Sequence, residues 1–443
     1  MAAFPWGSAP VRRRKDPLAE LTRRDLVAVR RGKAPTKPVR HGRLKRHRAY
    51  PSVLRFIAAT VAVVLVSAVS LGAFTAYQLG QEVSHNSFAL GPVKAGTASD
   101  LGNFDGGFNI LVVGADNDPT QGNAYGVRGA TLNDVNILLH VAADHKSATV
   151  VSLPRDLIIA HPSCTDTATG RTYGAMSAQP LNVAYSRGGT ACVVKTVESL
   201  TGLSIPYAAQ FSFRAVVQMT DAIGGVTVCL ADDINDKKAD LTLKAGLRTL
   251  KGKTALGFLR TRHGVGDGSD LSRISVQQVY LSALSRQIKS SDTLSNPVKL
   301  YNLATAAVSY VHLSESLTSL DTMVAMARSL RTIDLDKLNF IQYPGSTGDK
   351  RYPGKVVPNV AQAALLFSAI KADKPVKAAL LGRGSETDQS SAPPIATSTA
   401  KPTSKPTSKP TSAPPATGTP TLQTVQTTGQ QASQTTCARG YLK

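Results

Sequence analysis

Residues 56–77 carry no charged side chain and consist mainly of Ala, Val, Leu, Ile and Phe. As a helix rising about 1.5 Å per residue this run reaches roughly 33 Å, enough to cross the hydrocarbon core of a bilayer. Arg55 at its edge can snorkel to the headgroups while its stem stays in lipid. The run is longer than the apolar stretch of a cleaved signal peptide, so residues 53–79 read as a retained membrane anchor. A chain with one such segment is confined to two compartments, and charge decides which part lies in which.

Residues 1–50 hold 15 Lys or Arg against three acids, whereas the opposite flank begins with residues such as Gln81 and Glu82. By the positive-inside rule, residues 1–52 form a cytoplasmic tail and the chain after residue 80 lies outside. The expectation is a single-pass protein of the cell membrane with an extracellular C-terminal domain. The tail supplies an excess of 12 positive charges out of the formal +22, so the folded part is only mildly basic. It has no recognisable DNA-binding helix pair and few aromatics, so orientation and contact with membrane lipid are expected of it, and nucleic acid is not an expected partner.

All four cysteines, Cys164, Cys192, Cys229 and Cys437, follow the anchor, as suits an oxidising exterior. Their spacing lacks the paired clusters of a zinc site, which favours a disulfide. Cys164 and Cys192 flank a loop-like stretch and are the expected pair, worth roughly 3 to 4 kcal/mol in the chain-entropy model. Cys229 closes an apolar strand and reads as a buried free thiol.

From residue 384 to 443 the composition collapses to Ser, Thr, Pro, Gln and Ala, with a Lys-Pro-Thr-Ser repeat beginning at Lys401, Lys405 and Lys409. Such a segment is expected to be a disordered tail. Residues 80–103 read as a stalk, which leaves residues 104–380 as one large domain. Strand-like runs at 108–114, 134–142, 148–153, 226–230 and 256–259 alternate with helical periods at 192–201, 213–223, 271–289, 297–311 and 316–330. The pattern predicts an α/β fold, a mixed central sheet in an α/β/α sandwich.

Three of these runs end in charged residues: Asp116, then Arg155 and Asp156, then Arg260 and Arg262. Strand ends in α/β sheets line ligand crevices. Read as a strand, residues 256–262 alternate so that Leu256, Phe258, Arg260 and Arg262 share a face, an apolar lead into two guanidinium forks that suit phosphate oxygens. The short connection at residues 143–147 implies an antiparallel hairpin that brings Asp134 beside Arg155. Asp267 and Asp270 follow Arg262, completing a gathering of acids and arginines that suits a divalent cation and a phosphorylated ligand.

Other motifs carry less. Lys251-Gly-Lys-Thr resembles the end of a phosphate-binding loop, but Gly246 stands one residue too far away. The run Gly264-x-Gly266-x-Gly268 lacks a complete dinucleotide fingerprint and reads as a loop over the site. His140, His161 and His263 have no metal-ligand spacing.

These segments resemble the LytR-CpsA-Psr family of bacterial cell-envelope proteins. The resemblance is carried by Asn-Ile-Leu-Val-Val-Gly-Ala-Asp at 109–116, Asn133-Asp134, Ser-Leu-Pro-Arg-Asp at 152–156, Leu181-Asn182 with Gly188-Gly189, and the runs 197–202, 221–226, 255–262 and 270–278. It implies a phosphotransferase that moves a glycopolymer from a polyprenyl-pyrophosphate carrier onto peptidoglycan, with magnesium or manganese. Carried over residue by residue, Asp116 and Asp134 would hold the metal. Arg155, Arg260 and Arg262, joined by Arg128, would bind the pyrophosphate. Asp270, Arg155 and Arg262 would carry catalysis, with Asp156 and Asp267 as further candidates for the base. The resemblance also implies an apolar groove for the lipid, although residues 193–200 and 211–219 read by default as core. Two positions depart from the family pattern: Leu132 and Val276 stand where an arginine is usual. A polyprenyl-pyrophosphate phosphohydrolase and a membrane-bound transcriptional regulator are the competing readings.

Overall fold

The Val- and Leu-rich run at 108–115 alternates its side chains between two apolar faces, and the fold is organised around that alternation. A computed structural model describes residues 60, 87–91, 98–100, 103–116, 132–290, 297–388 and 423–442. Those from Ser87 onward belong to one compact unit. The basic tail, the anchor save Thr60, much of the stalk, Arg128 and the Lys-Pro-Thr-Ser repeats lie outside the described residues. No helix among the described residues is long and apolar enough to cross a membrane.

The central sheet comprises β1 (Ser87–Phe88), β2 (Phe108–Ala115), β3 (Asn133–Val141), β4 (Ala148–Leu153), β5 (Tyr207–Phe211), β6 (Val311–Ser314), β7 (Leu338–Gln342), β8 (Val376–Leu380) and β9 (Gln423–Gln431). Their order in space is β1-β6-β5-β2-β3-β4-β7-β9-β8. The β2–β3–β4 meander is antiparallel, whereas β5 runs parallel to β2 and β7 parallel to β4. The fold is therefore mixed α/β with a mixed central sheet. Its helices are α1 (Gly189–Thr201), α2 (Phe213–Ala222), α3 (Gly252–Arg260), α4 (Asp270–Lys289), α5 (Pro297–Tyr310), α6 (Leu320–Thr332) and α7 (Val360–Lys371).

On one face of the sheet, Leu111, Val113, Leu138, Val151 and Ile341 pack with Val193 and Val197 of α1 and with Leu366 and Ile370 of α7 in a single core. The apolar residues of 193–200 are thus core, as their periodicity suggested. The alternate residues Val112, Ile137, Leu139, Val150 and Phe340 face the other way, into a cavity bounded by α2, α3 and α4. A four-stranded sheet, Gly246–Leu250, Val226–Leu230, Thr436–Ala438 and Ser385–Thr387 in that order, backs α3 and α4 through its own core around Val228, Phe258 and Val279.

Two expectations are corrected. Residues 256–259 are not a strand but part of α3. Ala255, Leu256, Phe258 and Leu259 recur at helical steps, with Ala255 and Phe258 fully buried, and the two-residue alternation omitted half of that set. The segment after residue 384 is not tail throughout, because residues 385–387, 423–431 and 436–438 are strands. Their side chains are polar, yet the buried ones are satisfied. Thr427 Oγ1 donates to the Gln342 carbonyl at 2.7 Å, and Gln430 Nε2 donates to the Gln278 carbonyl at 2.8 Å and to Ser282 Oγ at 2.6 Å. Composition alone does not register hydrogen-bond partners supplied by other segments.

The expected Cys164–Cys192 disulfide is present, with Cα atoms 5.8 Å apart. Cys229 is not a free thiol: it pairs with Cys437, its neighbour in the second sheet, at a Cα separation of 4.4 Å. This bond closes a loop across 208 positions and fastens the last strands to the domain. Replacing both of these cysteines by serine is expected to lower unfolding stability by about 2 to 5 kcal/mol in a denaturant titration. A thiol count on the unreduced, denatured wild-type chain should find none.

Candidate active site

A β-bulge begins the site. Gly114 lies opposite Val135 and Ala115 opposite Asn133, so Asp134 is the extra residue on β3. Bulges re-aim side chains, and Asp134 lines the cavity. The β3–β4 hairpin, closed by Ala142 N donating to the Ser147 carbonyl at 3.1 Å, returns the chain so that Arg155 meets Asp134, Nη1 to Oδ1, at 2.5 Å. The sequence-based expectation for this pair holds. Asn182 N donates to the Arg155 carbonyl at 2.9 Å and fixes the backbone there. Burial works against the Arg155 charge, but Asp134, Asp270 and Asp156 outweigh it and hold its pKa above the ordinary arginine value.

The opposing wall comes from α3 and the turn after it. Arg260, the last residue of α3, stacks its guanidinium 4.3 Å from the Phe213 ring centre. Beyond it, the chain turns around Asp236, which is 3 % exposed. Its Oδ2 accepts from Thr261 Oγ1 at 2.8 Å and from the amides of Arg262 and His263, each at 3.0 Å. Its Oδ1 accepts from the Lys238 amide at 3.0 Å. Although burial pushes its pKa up, these donors pull harder and leave it below the usual carboxylate value. Arg262 Nε donates to the Gly268 carbonyl at 3.1 Å, which fixes the plane of its guanidinium.

The third wall is the start of α4. Ser269 caps it, accepting from Ser272 N at 3.2 Å, and Asp270 occupies the first turn, where a carboxylate complements the helix dipole. Asp270 Oδ1 lies 2.6 Å from Arg273 Nη2 and 3.8 Å from Arg155 Nε. Arg273 Nη2 also donates to the Asp134 carbonyl at 2.9 Å, meeting the bulge from behind. One turn on, Gln277 Nε2 donates to the Leu259 carbonyl at 2.8 Å and steadies the end of α3.

Between these walls lies a cavity of about 830 Å³. One α4 stripe, Arg273, Gln277, Tyr280, Leu281, Leu284 and Ile288, runs along it for about 22 Å at 1.5 Å per residue. Arg155, Arg260, Arg262, Arg273 and Lys238 also line it, and the remaining lining is mainly aliphatic and aromatic. The default assignment of 211–219 to core holds for Ala215 and Val217, which are buried in small apolar clusters, whereas Phe211, Val216 and Met219 line the cavity and Phe213 does both. Helical periodicity reports that a face is covered, not whether side chains or a cavity cover it.

The structure brings Arg155, Arg260, Arg262 and Asp134 to one cavity, although Arg260 and Arg262 arrive from a helix end and not along a strand. Asp116, 3 % exposed, follows the last residue of β2 and is not among the lining residues, and its Oδ1 accepts from Leu132 N at 2.9 Å. Asp270 is only 2 % exposed and, with Asp156 and Asp267, is not among the lining residues. Asp156 pairs with Lys355 at 2.7 Å, and Asp267 with Ser272 Oγ at 2.6 Å and Arg383 at 2.9 Å. Val276 is fully buried in the second core, which explains a valine in place of arginine. His140 is held between Asn109 and Asp373, while His263 lines the cavity with Nε2 3.4 Å from Lys238 Nζ.

Sequence reasoning missed Arg273, Lys238 and Asp236. Arg273 sits three residues after Asp270 on a predicted helix, a spacing that faces them together and could have flagged it. Asp236 carried no such signal, because its local bonds to the Lys238 and Ala239 amides are those of an ordinary turn and the partners of its Oδ2 are 25 to 27 positions away.

A metal of the magnesium type would draw on carboxylates such as Asp116, one residue beyond β2, and Asp134 on β3, hard oxygen ligands of the kind it accepts alongside phosphate oxygens. Among the described residues, Cys229, Asp388 and Cys437 form the one cluster of three possible ligands, and its two sulfurs are bonded to each other.

Fold and site together define a mixed α/β protein with an arginine-headed apolar cavity, suited to an amphiphile with an anionic head. The chain belongs to the LytR-CpsA-Psr family, whose LytR_cpsA_psr model matches residues 73–369. It is 31% identical over 297 residues to the cell wall biosynthesis protein LcpA of Corynebacterium glutamicum, covering 61% of this chain and 55% of that one. It is 26% identical over 263 residues to the polyisoprenyl-teichoic acid–peptidoglycan teichoic acid transferase TagT of Bacillus subtilis, covering 58% and 76%. The chain spans about half the length of the corynebacterial relatives it matches. Among solved structures, a LytR-Csp2A-Psr enzyme from Actinomyces oris aligns over 64% of this chain and 96% of its own at 22% identity, with a TM-score of 0.47.

Asp236→Ala removes the acceptor around which the Arg260–His263 turn is wound, and leaves several buried donors unpaired. It is expected to cost about 2 to 4 kcal/mol of stability, measured by denaturant titration, and to cost more than Asp233→Ala, whose carboxylate bonds Lys244 and the Ala245 amide at the exposed surface.

Proposed function

We propose that this chain is a membrane-anchored phosphotransferase that moves a glycopolymer from a polyprenyl-pyrophosphate carrier onto peptidoglycan. The carrying observation is the cavity, which four arginines and a mainly apolar lining share. A lipid pyrophosphate has the matching polarity, a polyanionic head on an apolar chain. The transfer of teichoic acid for which TagT is named supports the same substrate class.

In this reading Arg155, Arg260, Arg262 and Arg273 bind the pyrophosphate oxygens, and planar guanidinium forks suit that geometry. Arg128, outside the described residues, completes the set on the resemblance alone. The acceptor hydroxyl oxygen forms a new bond to the phosphorus that carries the polymer. The bridging phosphorus–oxygen bond breaks, polyprenyl phosphate leaves with the bridging oxygen, and the hydroxyl proton passes to that departing phosphate. Little covalent chemistry falls to the protein, and its residues orient the two partners and stabilise charge. Asp116 and Asp134 would hold magnesium, or manganese, which supplies neutralisation of charge on the phosphate oxygens. In this reading Asp270, 2.6 Å from Arg273 and 3.8 Å from Arg155, acts by orienting both guanidiniums.

The anchor at residues 53–79 would hold this domain at the outer surface of the cell membrane, where its carrier is embedded. Confinement of both to one plane raises their effective concentration.

With a polyprenyl-pyrophosphate-linked glycan as donor and peptidoglycan as acceptor, Arg262→Ala is expected to lower kcat/KM by about 10² to 10³. Arg262→Lys should recover only part, because a point charge lacks the fork. Polyprenyl phosphate released at an undiminished rate without acceptor would overturn transfer in favour of hydrolysis. Full transfer by Arg262→Ala would overturn the site.

A further inference from the structure

The six residues from His263 to Gly268 connect Arg262 to the cap of α4, and they include the Gly268 carbonyl that accepts from Arg262 Nε. This loop is held from outside by the chain that follows Cys437. Gly266 N donates to the Gly440 carbonyl at 3.0 Å, and Leu442 N donates back to the Gly266 carbonyl at 2.7 Å. Val265 and Gly266 form bridges with Gly440 and Tyr441. The Tyr441 ring lies against Gly268, where an added Cβ would stand 3.2 Å from Cε2. Gly268 has φ +75°, a conformation that suits glycine, and its amide donates to the Val265 carbonyl at 3.0 Å.

The holding segment is itself fixed. Cys437 is bonded to Cys229, Ala231 N donates to the Ala438 carbonyl at 2.8 Å, and Arg439 N donates to the Gly384 carbonyl at 2.9 Å. Gly440 N donates to Asp232 Oδ2 at 3.1 Å. A side chain at Gly440 would stand 2.8 Å from the Asp233 carbonyl oxygen, so the approach requires glycine. Tyr441 is 55 % exposed, and so contributes little to a core. Its placement is accounted for by the loop that it covers.

We propose that residues 439–442 are a positioning strap: through Gly266 and Gly268 they set the aim of the Arg262 guanidinium into the cavity, with Tyr441 as the positioning residue. The effect on turnover rests on the assignment of Arg262 to the pyrophosphate, whereas the mechanical link does not. The loop has no helix or strand of its own, and its remaining ties run through the Asp267 side chain and amide to Ser272 and Arg383, so without the strap the Val265–Gly268 backbone loosens and Arg262 samples other directions. Substrate binding then includes the cost of re-ordering it.

The test uses the full chain with both disulfides intact and compares Tyr441→Ala, Gly440→Val and Tyr441→Phe with the wild type. Two measurements do not depend on activity: hydrogen exchange at the Gly266 amide, and the Arg262 Nε–H signal by NMR. Tyr441→Ala and Gly440→Val are expected to speed exchange at Gly266 about tenfold and to broaden or shift the Arg262 signal. In the transfer assay the donor KM should rise about tenfold with kcat within about twofold, and Tyr441→Phe should match the wild type. Unchanged Gly266 exchange and an unchanged Arg262 signal in both disruptive variants would overturn the strap. Altered NMR signals combined with full transfer by Arg262→Ala would uphold the strap and sink the catalytic assignment instead.

Discussion

The contact between Arg155 and Asp134 is the one on which the rest of the site depends. A guanidinium at the edge of a sheet loses much of its hydration and remains charged only where carboxylates replace the water. Asp134 does so at 2.5 Å, with Asp156 at 3.6 Å and Asp270 at 3.8 Å from Nε. Each acid has its own duty: Asp156 also holds Lys355, and Asp270 holds Arg273. The network therefore links β3, the segment after β4, the start of α4 and the Lys355 loop through charge. Arg155, Arg273 and Lys355 are balanced by these three acids. Arg260, Arg262 and Lys238 come in addition, and the one further lining carboxylate, Asp236, is committed to backbone amides. The head of the cavity is left with positive potential for an anion.

Behind that head, apolar volume persists between walls that are otherwise well packed. An apolar void forgoes the dispersion contacts that filling it would provide. Its walls are rigid elements: alternate residues of β2, β3, β4 and β7 on one side and the α4 stripe on the other. The same α4 residue, Tyr280, faces both the cavity and the second core. Burial pushes its phenol well above the ordinary value, as expected of a hydroxyl enclosed by apolar groups. Loss of packing in the second sheet would thus reach the cavity through α4.

The chain after residue 423 serves both layers. β9 is inserted between β7 and β8, and Thr436–Ala438 lies between Val226–Leu230 and Ser385–Thr387. A segment of Thr, Gln and Ser can do this because its backbone completes two ladders while its buried side chains find acceptors and donors on β7 and α4. The Cys229–Cys437 bond then holds that arrangement covalently beside the Arg262 loop.

By itself the sequence determined what depends on local pattern and short connections. The strand runs 108–115 and 148–153, the long helix at 270–289, the hairpin that pairs Asp134 with Arg155 and the Cys164–Cys192 bond all follow from alternation, helical period, loop length or flanking position. Tertiary structure alone decided the bulge that turns Asp134, the winding of the Arg262 turn on Asp236 and the return of residues 423–442 to both sheets. Each of these joins groups separated by tens to hundreds of residues, and their stabilisation comes from partners that a local window does not contain. The cavity belongs with them: a face of apolar side chains looks the same in sequence whether it meets a neighbouring helix or an 830 Å³ space, because hydrophobic periodicity records removal from water and not what replaces it.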